Sequence, residues 1–155
     1  SSRYRASYPD QIRVFKTIVS ASACEPGRIL SIHSRAAVKD VLEILQPHAK
    51  GLKPILHWFS GTSAQVKSAL ALGCYFSVNG SMVATDGGKA VISTIPTDRL
   101  LLESDAPFRK EAGDTQGRIK DLERTIEGIA ALRRLDILGL KERIACNSAQ
   151  LLGLK

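Results

Sequence analysis

Four polar side chains stand where apolar runs end. His33 closes "RILSIH", His57 sits inside "PILHWF", and Asp105 follows "LLLES" with Glu103 two residues before it. Carboxylates placed directly behind three leucines need a positive partner, because an unpaired buried charge is costly or takes up a proton. Two imidazoles and a carboxylate are borderline ligands that suit Zn, Mn or a similar divalent ion. Each residue also has a plainer reading: a strand-end His as a hydrogen-bonded loop residue, Asp105 as a turn or N-cap residue ahead of Pro107, Glu103 in a salt bridge. Their joint recurrence at the ends of apolar runs favours a metal. His48, after Pro47, has no such placement and reads as a solvated residue at a helix end.

For these side chains to meet, the chain must bring strand ends together. "RILSIH" (Arg28 to His33), "PILHWF" (Pro54 to Phe59), "CYFSVN" (Cys74 to Asn79) and "RLLLES" (Arg99 to Ser104) are apolar runs of strand length. Helical spacing fills the intervals. Ile12, Phe15 and Val19 follow Asp10 as N-cap and stop at "EPGR"; Val38, Val41, Leu42 and Leu45 are ended by Pro47. Thr62 and Gln65 form a capping box for a helix that stops at Gly73, and a short helix spans Asp86 to Thr94. Beyond the fourth strand, Leu122, Ile126, Ile129 and Leu132 mark one helix, and Ile144, Leu151 and Leu152 the last. This alternation predicts an α/β fold with a parallel sheet buried on both faces. Such folds place chemistry at the carboxyl ends of the strands, and neighbouring strands about 4.8 Å apart let their end residues reach one ion.

The 155 residues amount to a single domain, 1–155, with 44% apolar content and no long uncharged apolar run, so nothing points to a membrane and a cytoplasmic setting is the default. Cys24, Cys74 and Cys146 are odd in number and far apart, which argues against a disulfide framework or thiolate metal site and reads as reduced, mostly buried residues. A net charge of +7 favours a polyanionic partner such as nucleic acid, weakly, because the basic residues are scattered.

"SIHSR", "HWFSGT", "GCYFSVN" and "ESDAPF", in this order and at these spacings, resemble the TatD family of metal-dependent deoxyribonucleases, within the amidohydrolase superfamily. The likeness covers nearly the whole chain and extends in particular to the TatD-like nucleases of Qat anti-phage defence systems. It implies a (β/α)8 TIM barrel and hydrolysis of DNA, as ends or single strands, with one or two divalent ions (Mg, Mn or Zn). His33, His57 and Asp105 would be metal ligands, Glu103 would touch a metal or orient a ligand, and Asp105 would also accept the proton of the attacking water. Arg35 is placed to meet a substrate phosphate or to form a surface ion pair. Trp58 and Phe108 are placed to stack on a splayed base, Ser60 to help cradle a phosphate, and Phe59 to pack behind the ligands.

A barrel of this kind needs eight βα units, and four are visible. The family's earlier His-x-His and fourth-strand Glu have no counterpart in this sequence. The expectation is therefore the C-terminal half of the barrel, four βα units, inactive without an N-terminal half in the same or another chain, with other defence-system proteins as further partners. Two alternatives differ in class: a catalytically silent binding subunit, and a hydrolase of small amides or lactones.

Overall fold

A computed structural model describes residues 6–108 and 114–154. The elements run α1 (Tyr8–Ala23), β1 (Arg28–His33), α2 (Val38–Leu45), a 3-10 turn (Gln46–Gly51) and β2 (Leu52–His57). They continue with α3 (Ser63–Ala71), β3 (Tyr75–Val78), α4 (Gly80–Ala84), α5 (Asp86–Thr94), a 3-10 turn (Thr97–Arg99), β4 (Leu100–Leu102), α6 (Thr115–Arg133) and α7 (Ile137–Leu152). The strands form one parallel sheet in the order β1-β2-β3-β4. No helix among the described residues is long and apolar enough to cross a membrane.

Local chemistry sets most boundaries. The Thr62 and Gln65 side chains exchange hydrogen bonds with each other's backbone N–H, the predicted capping box, and Gly73 at φ +75 ends the helix in a left-handed turn. Thr85 caps α5, whose start presses against α4 so closely that a Cβ at Gly88 would fall 2.1 Å from the Met82 carbonyl oxygen. The first helix begins earlier than expected: Ser7 is its N-cap, Pro9 occupies the first turn, and Asp10 instead pairs with Arg13. β3 and β4 are shorter than their apolar runs, and β2 keeps its length but lies two residues earlier than its run. Trp58, at φ +43, turns the chain out of β2, Asn79 leaves β3 to cap the unpredicted α4, and β4 covers only Leu100–Leu102.

Alternation along the strands sends Ile32, Leu56, Phe76, Val78 and Leu100 to one face, where helices bury them in the main core with Phe59, Ile92, Ile129 and Ile144. Each such side chain contributes about 1.5–3 kcal/mol by leaving water. The opposite face is covered differently. Ile55, Tyr75 and Leu101 form a small cluster there with Leu151 of α7, while Ser31 and His33 of β1 stay exposed. The sheet is thus not buried on both faces as expected, because an apolar run does not reveal which side a helix will cover. Asn147 fastens α7 to the start of β4 by donating to the Thr97 and Leu100 carbonyls, both at 2.8 Å. Of the thiols only Cys74 is buried; Cys24 and Cys146 are exposed, contrary to expectation. His48 is half-buried in the 3-10 turn, 3.3 Å from the Ser20 hydroxyl, rather than fully solvated.

Candidate active site

The sheet register places His33 opposite His57 and His57 opposite Ser77. Glu103 follows β4 and keeps its pairing, its N–H donating to the Val78 carbonyl at 3.0 Å. Three strand ends therefore deliver polar side chains to one spot. His33 Nδ1 and His57 Nε2 lie 3.0 Å apart. The other ring nitrogen of His57, Nδ1, is 3.3 Å from Glu103 Oε2. The Ser77 hydroxyl donates to that same oxygen, and Asn79 Nδ2 donates to Oε1 at 2.9 Å.

These contacts fix a tautomer. Glu103 accepts from Ser77 and Asn79, so it also requires a donor from His57, which puts the His57 proton on Nδ1 and leaves an Nε2 lone pair. His33 then donates to that lone pair in the absence of any cation. Burial lowers the His33 pKa, helped by His57 and Arg35 against the opposing fields of Asp105 and Glu103, so its ring is biased toward the neutral form that can act as a ligand. Ser77 and Asn79 were not singled out from the sequence. Their signal was present as two polar residues, spaced by two, in an otherwise apolar run; their partner became visible only with the β3–β4 register.

The other expected residues are placed less centrally. Asp105, at φ +51, begins a turn in which its carbonyl accepts from the Phe108 N–H at 2.9 Å, and it acts on His33 through space. Arg35 is exposed near His33, Ser60 is exposed in the loop after β2, and Phe108 is 83% exposed. Trp58 is half-buried against the core, whereas Phe59 is fully inside it, edge-on to Phe76 at 5.3 Å between ring centres. Among the described residues no three His, Cys, Asp or Glu side chains converge to hold a metal ion, so the expected set of His33, His57, Glu103 and Asp105 is not assembled as one cage.

The two imidazoles nevertheless fit a metal. Nitrogens bound at about 2.1 Å in neighbouring coordination positions sit roughly 3.0–3.4 Å apart, which brackets the observed spacing. Glu103 lies on the far side of His57, where a carboxylate orients a ligand and raises its basicity.

A parallel βα sheet with its polar site at the strand carboxyl ends defines the class: an α/β protein with its candidate site where such folds place their chemistry. The model for TatD-related DNases matches residues 2–153, and the chain belongs to that family. It is 31% identical over 144 residues to the 3'-5' ssDNA/RNA exonuclease TatD of Erwinia amylovora, an alignment covering 86% of this chain and 56% of that protein. Over 101 residues it is 34% identical to an uncharacterized metal-dependent hydrolase, YabD, of Bacillus subtilis, covering 63% of this chain and 39% of the relative. The chain thus spans about half the length of the curated relatives it matches, or less. A TatD-family hydrolase from Entamoeba histolytica superposes with a TM-score of 0.77 at 17% identity, over 93% of this chain and 57% of that one.

Proposed function

We propose that this chain carries part of the centre of a metal-dependent nuclease that hydrolyses phosphodiester bonds of single-stranded DNA or DNA ends. The observation that carries the reading is the His33–His57 pair, two ring nitrogens facing each other at 3.0 Å at the carboxyl end of a parallel sheet. A divalent ion held there would supply Lewis acidity to the scissile phosphate and to the attacking water.

The chain's own residues have separable tasks. His33 and His57 offer nitrogen lone pairs, and Glu103, braced by Ser77 and Asn79, holds the His57 ring with its lone pair facing His33. Asp105 borders the same space and is the candidate further ligand and proton acceptor. Arg35, close enough to act on His33 electrostatically, is the candidate phosphate contact. In this reading the remaining ligands come from outside these 155 residues, in the same or another chain, and the setting is cytoplasmic. A place in anti-phage defence rests on the motif resemblance.

The test pairs this chain with the amino-terminal four βα units of a full-length TatD relative and follows end-labelled single-stranded DNA in Mg or Mn. The expected result is turnover by the complemented protein, lost in His57→Ala, and none by the 155-residue chain. Turnover by the chain alone, lost in the same variant, would refute the need for outside ligands. A second reading, a silent binding subunit, is favoured by the want of a third converging ligand among the described residues. Stoichiometric metal in the complemented protein would rule against it.

A further inference from the structure

A pocket of about 310 Å3 opens between the loop that follows β2 and the α4–α5 pair, its lining beginning at Trp58, the residue after His57. Trp58 and Ser60 wall it from the loop after β2, Ser81 and Met82 from α4, and Thr85 and Val91 from the start and middle of α5. Trp58 follows His57 directly, and its left-handed backbone turns the chain out of the strand at the pocket's edge. The α4–α5 wall is fixed by backbone contact, since Gly88 leaves no room for a side chain against Met82. The pocket is therefore preformed, and its volume lies at the small end of the ligand-site range of about 300–1,000 Å3.

Its chemistry narrows the occupant. Aromatic, thioether and aliphatic groups alternate with three hydroxyls, and among the described residues no charged side chain lines it. A phosphate would find no cation there. A flat, neutral, heteroatom-rich group would find an aromatic wall together with hydroxyls that both donate and accept. Thr85 keeps that capacity: its oxygen accepts from the Gly88 N–H at 3.2 Å, which leaves its own proton to donate.

We propose that this pocket receives an unpaired nucleobase, that of the nucleotide whose phosphate lies at His33 and His57. The assignment deepens the nuclease reading and rests on it for the placement of the phosphate. It makes the site selective for single strands or frayed ends, because a base inside a duplex cannot enter a side pocket without leaving its stack. Hydroxyls that serve either hydrogen-bond role give little preference among the four bases.

Trp58 is the sole tryptophan of the chain, so all tryptophan emission comes from the wall of this pocket. The experiment titrates the protein, in EDTA, with deoxyadenosine and separately with inorganic phosphate. The nucleoside should quench Trp58 saturably, with little change between about 0.05 M and about 0.5 M salt because no phosphate contact is involved. Inorganic phosphate should leave the emission unchanged. In Gly87→Leu, which adds a side chain to the pocket wall where a Cβ meets no atom within 4 Å, affinity should fall about tenfold or more with the unfolding midpoint preserved. No quenching by the nucleoside, equal quenching by phosphate, or full affinity in Gly87→Leu would each overturn the assignment. Hydrolysis of DNA by the complemented protein separates the two ideas. Hydrolysis without nucleoside quenching removes the pocket and keeps the nuclease, whereas quenching without hydrolysis keeps the pocket and removes the nuclease.

Discussion

Replacing Glu103 by Gln tests the site's internal logic, because the change keeps shape and removes one charge. Glu103 accepts from the Ser77 hydroxyl, from Asn79 at 2.9 Å and from His57 Nδ1 at 3.3 Å. A Gln amide has one oxygen, and Asn79, fully buried and able only to donate through Nδ2, will claim it. The amide NH2 then faces Ser77 and His57. Ser77 can rotate its hydroxyl to accept, but His57 can accept only by moving its proton from Nδ1 to Nε2. That proton would occupy the lone pair facing His33. Hydrogen bonds to charged groups are worth about 1.5–3 kcal/mol and neutral ones about 0.5–1.5, so the folding cost should be about 1–2 kcal/mol. Loss of an orienting carboxylate typically weakens metal affinity by about 10–100-fold, equivalent to about 1.4–2.8 kcal/mol. Nitrogen-15 NMR of the metal-free protein should show His57 protonated at Nδ1 in the parent and at Nε2 in Glu103→Gln, and Mn or Zn titration calorimetry should show the matching loss. An unchanged tautomer with affinity preserved would refute the claim that Glu103 sets the ring.

Three further outcomes follow from the packing and protonation. Phe59→Ala removes a ring that is 1% exposed and packed on Phe76, and should cost about 3–5 kcal/mol in urea unfolding, whereas Phe108→Ala, at an exposed position, should change stability little. Because the His33 pKa is lowered from 6.5, the unfolded chain binds more protons as the pH falls through that value; stability should therefore drop with acidification, and His33→Gln should remove part of the slope in pH-dependent unfolding. Burial pushes the Cys74 thiol up to about 12, so a native thiol assay at mild alkaline pH should count Cys24 and Cys146 and reach Cys74 on denaturation.

What the sequence made legible was local. β1 and α5 run over the residues their patterns predicted, and the Thr62 capping box forms as read, because strand runs, caps and helical spacing are short-range signals. α4 was missed since five residues are too few to show a helical period, and its start is set by the Asn79 cap. His33 and His57 were legible as polar breaks at strand ends. The brace of Ser77 and Asn79 behind Glu103 was not, because it depends on which residues face one another across β3 and β4. The exposed face of β1 was also illegible, as it depends on where the helices pack. Asp105 shows the opposite limit: its type and place suggested a ligand, while the turn it begins sets its distance from the imidazoles.

Ala36, Trp58 and Asp105 account for three of the four non-glycine residues with positive φ among those described, and each lies within three residues after the carboxyl end of its strand. Side chains held in that left-handed region cost on the order of 1–3 kcal/mol each. Glycine would relieve the cost, so thermal selection and the needs of the site pull in opposite directions here. A library screened only for heat tolerance should accumulate Gly or Asn at positions 36, 58 and 105 and lose the Trp58 and Asp105 side chains next to the imidazole pair. Heat-tolerant descendants that retain Trp58 and Asp105 would instead reveal which of these conformations selection on activity refuses to release.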